Sequence, residues 1–375
     1  IITFVINLIS VPYNAAIIAH EKMSAFAYIS ILEAMTKLAI AFLIMSSPID
    51  KLIFYAILMC VVAIIIRLTY GHYCKKHFAE CTYHFHWDKD ILKQMFGFAG
   101  WNFIGCSSAI LRDQGVNVLL NIFYGPAVNA ARGIAVQVNT AINGFVVNFT
   151  TALNPQITKS YASEDYNTMF TLIYKGARFS YYLLLILSLP ILFETHYVLD
   201  LWLKNVPEHT VVFVRLIIIF SMCESISVPL ITAMMATGRI RNYQIIVGGL
   251  QMLNFPLSYI ALSLGYMPET TIVIMIVVSL MCLAARLYML KNMIMLNILN
   301  YVRKVLLNAF TVSCIALILP VILHNYMQED FLSFIILSVA CIISSVFSVL
   351  LVGCSNQERE MVWNIIKKKI NDKVR

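Results

Sequence analysis

The stretch Phe331-Leu-Ser-Phe-Ile-Ile-Leu-Ser-Val-Ala-Cys-Ile-Ile-Ser-Ser-Val-Phe-Ser-Val-Leu-Leu-Val-Gly353 holds 23 residues and no charge. A helix of about 20 apolar residues spans the ~30 Å hydrocarbon core of a bilayer, and no water-soluble core helix needs such a run. Similar runs recur at 1–20, 24–45, 52–70, 96–121, 127–153, 179–199, 211–235, 242–265, 270–290 and 305–324, which predicts about eleven transmembrane helices. Composition agrees. The chain of 375 residues is 60% hydrophobic and only 12% charged, against roughly 25% charged in soluble domains. So little charge cannot coat a water-soluble surface. A soluble enzyme, a nucleic-acid module and a disordered tail are excluded. The expected fold is all-α, a polytopic membrane helical bundle.

The net charge of +8 is spread unevenly. Of 27 Lys and Arg residues, 21 fall in one set of alternate loops and the C-terminal tail, with Arg286 among them, while Lys51 and Lys204 alone occupy the other set. The positive-inside rule then places the basic loops and the tail in the cytoplasm. Two inner loops are expected to be long, 71–95 and 154–178. Residues 357–375 set Trp363 and several isoleucines beside Lys367 to Lys369, which suits a helix resting on the anionic inner leaflet. Prolines at 12, 190, 229, 256 and 320 fall inside spans, where they mark bends.

Lys37, Arg112, Arg132 and Arg215 remain inside spans. Each mid-bilayer charge costs about 2.5–3.5 kcal/mol on insertion scales, so each needs a partner, a wet cavity or a ligand. On span 127–153, at 100° per residue, Asn129, Arg132, Asn139, Thr140 and Asn143 share about one third of the circumference, flanked by Gln137 and Asn148. Such a stripe predicts a wet face, although Asn and Gln also bind helices together. On span 96–121, Trp101, Gly105, Ser108, Arg112 and Gly115 share a face; Arg112 there either pairs with a carboxylate as a structural residue or lines the same wet space as Arg132. The first span adds Asn7, Ser10 and Asn14. The second adds Glu33 and Lys37, spaced as a helical ion pair. Arg215 lies near a span end, where it can snorkel, and Glu224 is a deeper carboxylate. A Cys/His cluster (His72, Cys74, His77, Cys81, His84, His86) lacks paired C-x2-C spacing, so no metal or other cofactor is expected. No catalytic motif occurs, and the nine cysteines read as free thiols.

Asn7-Leu-Ile-Ser-Val-Pro-Tyr-Asn-Ala-Ala-Ile-Ile-Ala-His-Glu-Lys-Met23 resembles the fourth helix of Wzx-type O-antigen flippases, the polysaccharide-biosynthesis branch of a superfamily that includes drug/toxin antiporters and lipid II flippases. Gly125-Pro-Ala-Val-Asn-Ala-Ala-Arg-Gly133, Asn148-Phe-Thr-Thr-Ala-Leu-Asn-Pro-Gln-Ile157, and Pro190 with Leu201-Trp-Leu-Lys-Asn-Val-Pro207 are similar to other parts of that family. The resemblance implies two six-helix lobes around a central cavity, followed by two helices. On that plan 1–94 is the remainder of the N-terminal lobe, its first three helices absent, 95–300 is the C-terminal lobe, and 301–375 holds the two extra helices and basic tail. It implies a non-enzymatic flippase of a bacterial cytoplasmic (inner) membrane, with its C-terminus in the cytoplasm. The cargo would be an undecaprenyl-diphosphate-linked oligosaccharide for lipopolysaccharide or another polysaccharide, carried by alternating access.

In that reading Arg112, Arg132 and Lys37 hold the diphosphate. Asn129, Gln137, Asn139 and Asn143 hydrogen-bond the sugar, and Asp113, Glu33 or Glu224 couples transport to a proton or sodium gradient. The partners are the lipid-linked oligosaccharide, membrane lipids and other glycan-assembly membrane proteins, with no nucleic acid. A multidrug exporter of the same superfamily is the alternative. A membrane glycan polymerase or acyltransferase is a more distant one. Topology is testable directly: single cysteines at 266–270 should label only from outside and cysteines in the tail only from inside. Outside labelling of the tail would invert the orientation.

Overall fold

The computed structural model describes residues 2–46, 50–81, 87–203, 205–326 and 330–360. Residues 361–375 of the expected leaflet helix in the tail, His84, His86, Lys204 and the turn around Pro48 lie outside them. Among the described residues there is helix and no strand, as the bilayer demands. With no water to satisfy backbone groups, each span must close its own hydrogen bonds.

The helices are α1 (Ile2–Ala19), α2 (Met23–Leu43), α3 (Lys51–His77), α4 (Lys89–Tyr124), α5 (Pro126–Ala162), α6 (Tyr166–Phe193), α7 (Thr195–Leu203), α8 (Thr210–Ala236), α9 (Arg241–Met252), α10 (Asn254–Ser263), α11 (Thr270–Ile294), α12 (Ile298–Tyr301), α13 (Asn308–His324) and α14 (Phe331–Ser348). Nine segments among the described residues are long and apolar enough to cross a membrane. They are α1, α2, α3, α6, α8, α11, the α9–α10 pair, α12–α13 and α14 with its π-helical end. The other two expected spans are α4 and α5, of 36 and 37 residues. Each is about 54 Å long at 1.5 Å per residue, ample for a bilayer but more polar than the rest. The chain is therefore a multi-pass membrane protein whose two longest helices are less apolar than those nine segments.

The chain divides into two compact units, Ile1–Lys89 and Asp90–Arg375. In the first, α1 packs on α3 and α2 around Ile17, Ile29, Val62 and Tyr70. In the second, α5 and α6 pack on α8, α8 on α11, and α13 and α14 on each other and on α6. Outward faces stay apolar. Phe310, Ile318 and Ile343 are each more than half exposed, an arrangement stable in lipid and not in water.

Both long inner loops are shorter than expected. Helix α5 runs on to Ala162 and α6 begins at Tyr166, so 154–178 is nearly all helical. Asp165 caps α6 by accepting from the Thr168 amide at 3.1 Å, and the bond keeps its carboxyl below the usual range. Likewise α3 continues to His77 and α4 starts at Lys89. Charge locates where the membrane ends, not where a helix does. Pro256 breaks the eighth expected span into α9 and α10, because it has no N–H to give the Met252 carbonyl. Pro12, Pro190, Pro229 and Pro320 lie within helices, and so does Pro155.

A polar latch ties the end of α14 to α6. Arg178 donates to the Gly353 carbonyl at 3.1 Å and to Glu358 at 2.9 Å, with Lys175 3.6 Å from the same carboxylate. The Ser355 amide donates to the other Glu358 oxygen at 2.8 Å. Tyr182 donates to Asn308 and to Gly353 O, and Asn308 donates to Val352 O. Burial works against the charged Glu358 carboxyl, but the Ser355 hydrogen bonds and the Arg178 and Lys175 charges outweigh it and hold its pKa below the ordinary value. A depressed folded pKa means the latch contributes fully above the unfolded value, about 4.3, and fades as pH falls through the folded one. Glu358→Gln should cost on the order of 1–3 kcal/mol at neutral pH. Thermal melts of wild type and variant in nanodiscs should converge as pH drops below 4.

Candidate functional site

The polar site in the second unit begins with a turn. Gly125 at φ +80° reverses the chain in one residue, and Pro126 opens α5 at a position where its missing N–H costs nothing. Asn117 lies eight residues before the turn and Arg132 seven after it, so the two side chains sit at matched depth on successive helices. Arg132 Nη1 donates to Asn117 Oδ1. Arg132 is only 4% exposed, and its Nε has no partner. Among the described residues no carboxylate pairs with it.

Its neighbours are neutralised. Arg112 grips Asp113 with two hydrogen bonds, 3.1 and 3.2 Å, and lies over the Phe220 ring at 5.3 Å. One turn along α8, Glu224 accepts from Ser279 of α11, and Arg286 Nη1 stands 4.0 Å away. Arg286 is 1% exposed, with Tyr243 and Cys282 around it. It therefore belongs to the buried bundle and not to the inner loop expected from the charge pattern. Its signal was present in the sequence: Ser279, Cys282 and Arg286 recur at helical spacing on one face of an otherwise apolar helix. Across α4, α5, α8 and α11, then, three guanidinium groups face two carboxylates, and Arg132 is the one without an acidic partner.

The stripe on α5 has two parts. Asn139 and Asn143 flank Arg132 on the side turned into the bundle. Asn143 donates to Ser221 of α8 at 3.3 Å, while Asn139 Oδ1 is buried without a partner. Asn143 thus serves a helix–helix contact. Gln137, Thr140 and Asn148 are exposed and Asn129 is half-buried; together with Gly133 and Gly144 they form an uncovered polar strip, interrupted by Val136 and Val147. A Cβ added at Gly133 or Gly144 would meet nothing within 4 Å.

The face of α4 that carries Arg112 is different. Gly105, Ser108 and Gly115 pack on α9 and α10. Gln244 fills the space beside Gly105, Ser108 Oγ lies 3.1 Å from where a Cβ at Gly248 would stand, and Phe255 Cδ2 lies 2.7 Å from that of Gly115. This is close packing of small residues, and Ser108 is fully buried. From the predicted face, only Arg112 reaches the polar cluster.

In the first unit, Asn7, Ser10 and Asn14 of α1 and Glu33 and Lys37 of α2 converge with Tyr70 of α3 on one cavity of about 180 Å³. Lys37 Nζ is 2.6 Å from Glu33 Oε1, so the two form the ion pair that their spacing predicts. Asn14 Oδ1 is buried without a partner. The three expected coupling carboxylates Glu33, Asp113 and Glu224 are thus all engaged by basic side chains.

Arg215 is exposed and donates to Thr195 at 3.2 Å, as a snorkelling residue would. Of the Cys/His cluster, Cys74 is buried and donates to the Tyr13 carbonyl, and His77 contacts the Tyr73 carbonyl. Among the described residues no three His, Cys, Asp or Glu side chains gather as metal ligands.

No protein-family model, no curated protein and no solved structure matches the chain.

The Arg132–Asn117 contact makes a clean stability prediction. Asn117→Leu removes the acceptor and leaves a buried guanidinium unsatisfied, at a cost of about 1–3 kcal/mol. Arg132→Met should cost little or even stabilise, because it removes a buried charge. The double variant should melt near Arg132→Met alone. Additive effects in nanodisc melts would show that the two side chains do not interact.

Proposed function

We propose that the chain is a flippase for a lipid-linked oligosaccharide, in which Arg132 takes the diphosphate. The observation that carries this reading is a buried guanidinium, unpaired by any carboxylate among the described residues, next to an uncovered polar strip on the same helix. A diphosphate diester carries two negative charges and offers oxygens in the plane that a guanidinium grips with two hydrogen bonds. Arg132 has its Nε open for such a bond. Arg112 is the second cation, released to the phosphate to the extent that Asp113 lets it go.

The sugar hydroxyls then fall to Asn129, Gln137 and the buried Asn139. Asn143 contributes only if its Ser221 bond opens. Lys37, like Arg112, is available only to the extent that its carboxylate partner releases it, and its cavity in the first unit adds amide and hydroxyl groups. The lipid tail needs no site in this scheme, since it stays in the bilayer while the polar head crosses. Alternating access exposes the head group first to one side and then to the other.

The reading needs motion of α4. Arg132 is covered in this conformation, so a diphosphate reaches it only when α4 or a neighbouring helix moves. Coupling to a proton or sodium gradient would act through a carboxylate that exchanges partners. Asp113 is the best placed, since Arg112 holds it and Arg132 lies near.

The test is surface glycan in a host lacking its own flippase, with the chain expressed at matched level. Arg132→Glu should abolish export, and Arg132→Met should reduce it by about tenfold to a hundredfold, the worth of one charged hydrogen-bonded contact. Arg132→Lys should retain part of it, a point charge without the bidentate fork. Wild-type glycan from a folded Arg132→Glu protein would eliminate the cationic-site reading.

A further inference from the structure

We propose a separate binding site, at the start of α4 and the turn between α8 and α9, for the phosphate headgroup of an anionic membrane phospholipid. A pocket of about 770 Å³ lies there, within the second unit, and it is independent of the Arg132 cluster. Its walls divide by chemistry. Met95, Phe98 and Ile240 line it with apolar surface, and Arg239, Arg241 and Trp101 line it with groups that can meet a headgroup.

Three features point to a lipid and not to a soluble anion. First, the flanks are apolar and open: Met95 is 61% exposed and the neighbouring Phe96 74%. Such surface belongs against acyl chains. Second, Arg241 lies 5.3 Å over the Trp101 ring. That contact orients the guanidinium beside an indole, the residue type enriched where hydrocarbon meets headgroups. Third, two arginines flank one apolar residue in the sequence Arg239-Ile240-Arg241, with both arginines exposed and Ile240 buried. Basic pockets between membrane helices hold phosphate headgroups in this way. Helix α9 also begins at Arg241 with no side-chain cap, so its first amides add donors at the same place.

The pocket has room for a ligand. A Cβ at Gly97 would meet nothing within 4 Å, so the space beside that lining residue is empty of protein. A headgroup held there would bind α4 to the α8–α9 turn from the membrane side.

The chain in nanodiscs tests this, with Trp87, Trp202 and Trp363 replaced by Phe so that Trp101 is the reporter. Brominated phosphatidylglycerol, as a minor component, should quench Trp101 with an enrichment on the order of tenfold over brominated phosphatidylcholine, as two basic contacts predict. Arg239→Gln with Arg241→Gln should bring the ratio near one, and Arg239→Lys with Arg241→Lys should retain most of it. Gly97→Leu, which fills the pocket and favours helix, should lower quenching by both lipids. Equal quenching of the wild type by the two lipids overturns the proposal without reference to any variant. So does full relief of quenching by millimolar inorganic phosphate, which would make the site one for a soluble anion.

Discussion

An unpaired charge in hydrocarbon is so costly that almost everything in this structure is arranged to avoid one. Backbone groups close their own hydrogen bonds as helices. Glu33 neutralises Lys37, Asp113 neutralises Arg112, and Glu224 receives Ser279 with Arg286 beside it. These pairs do not add much stability. Two ions removed from water gain little net free energy even when well paired. What they do is allow polar groups to exist at depth, and each sits where several helices meet.

The same constraint explains what was legible beforehand. Charge-free runs mark the helices because charge is what the bilayer rejects, and α14 and α13 are read almost directly from it. Where a helix leaves the membrane the constraint lapses. Residues 154–162 and 166–178 are polar enough to look like a loop, yet Asp165 caps one helix and Lys159 lies in the last turn of the other. Capping chemistry, and not hydropathy, carried that information. Arg286 was misplaced for the opposite reason. It stands five residues from Lys291 and was grouped with it by charge, although its helical face already held Ser279 and Cys282.

Periodicity identified polar faces but not the neighbours they meet. The α4 face with Gly105, Ser108 and Gly115 is polar or small at the right spacing for a cavity wall, and also for a tight helix crossing. Only the positions of Gln244, Gly248 and Phe255 on other helices decide for the crossing. The α5 stripe was ambiguous in the same way and divides in two. Asn143 meets Ser221, whereas Gln137, Thr140 and Asn148 meet no covering element within the second unit. Small residues and amides serve both purposes, so single-helix patterns cannot separate them.

Arg132 and Arg215 make the final comparison. Arg132 is six residues into α5 from Pro126, and Arg215 five into α8 from Thr210, about 8–9 Å along each helix. At that depth a long side chain can turn back toward the helix end and reach water. Arg215 is exposed and finds Thr195. Arg132 instead turns inward, is covered, and donates to one amide oxygen. An arginine with an easy route to water that stays buried beside a neutral residue is unfavourable on stability grounds alone. Replacing Asn117 by Asp would neutralise it, a substitution of one atom group in the acceptor itself. The neutral acceptor keeps the positive charge uncompensated, and an uncompensated charge is what an anionic ligand requires.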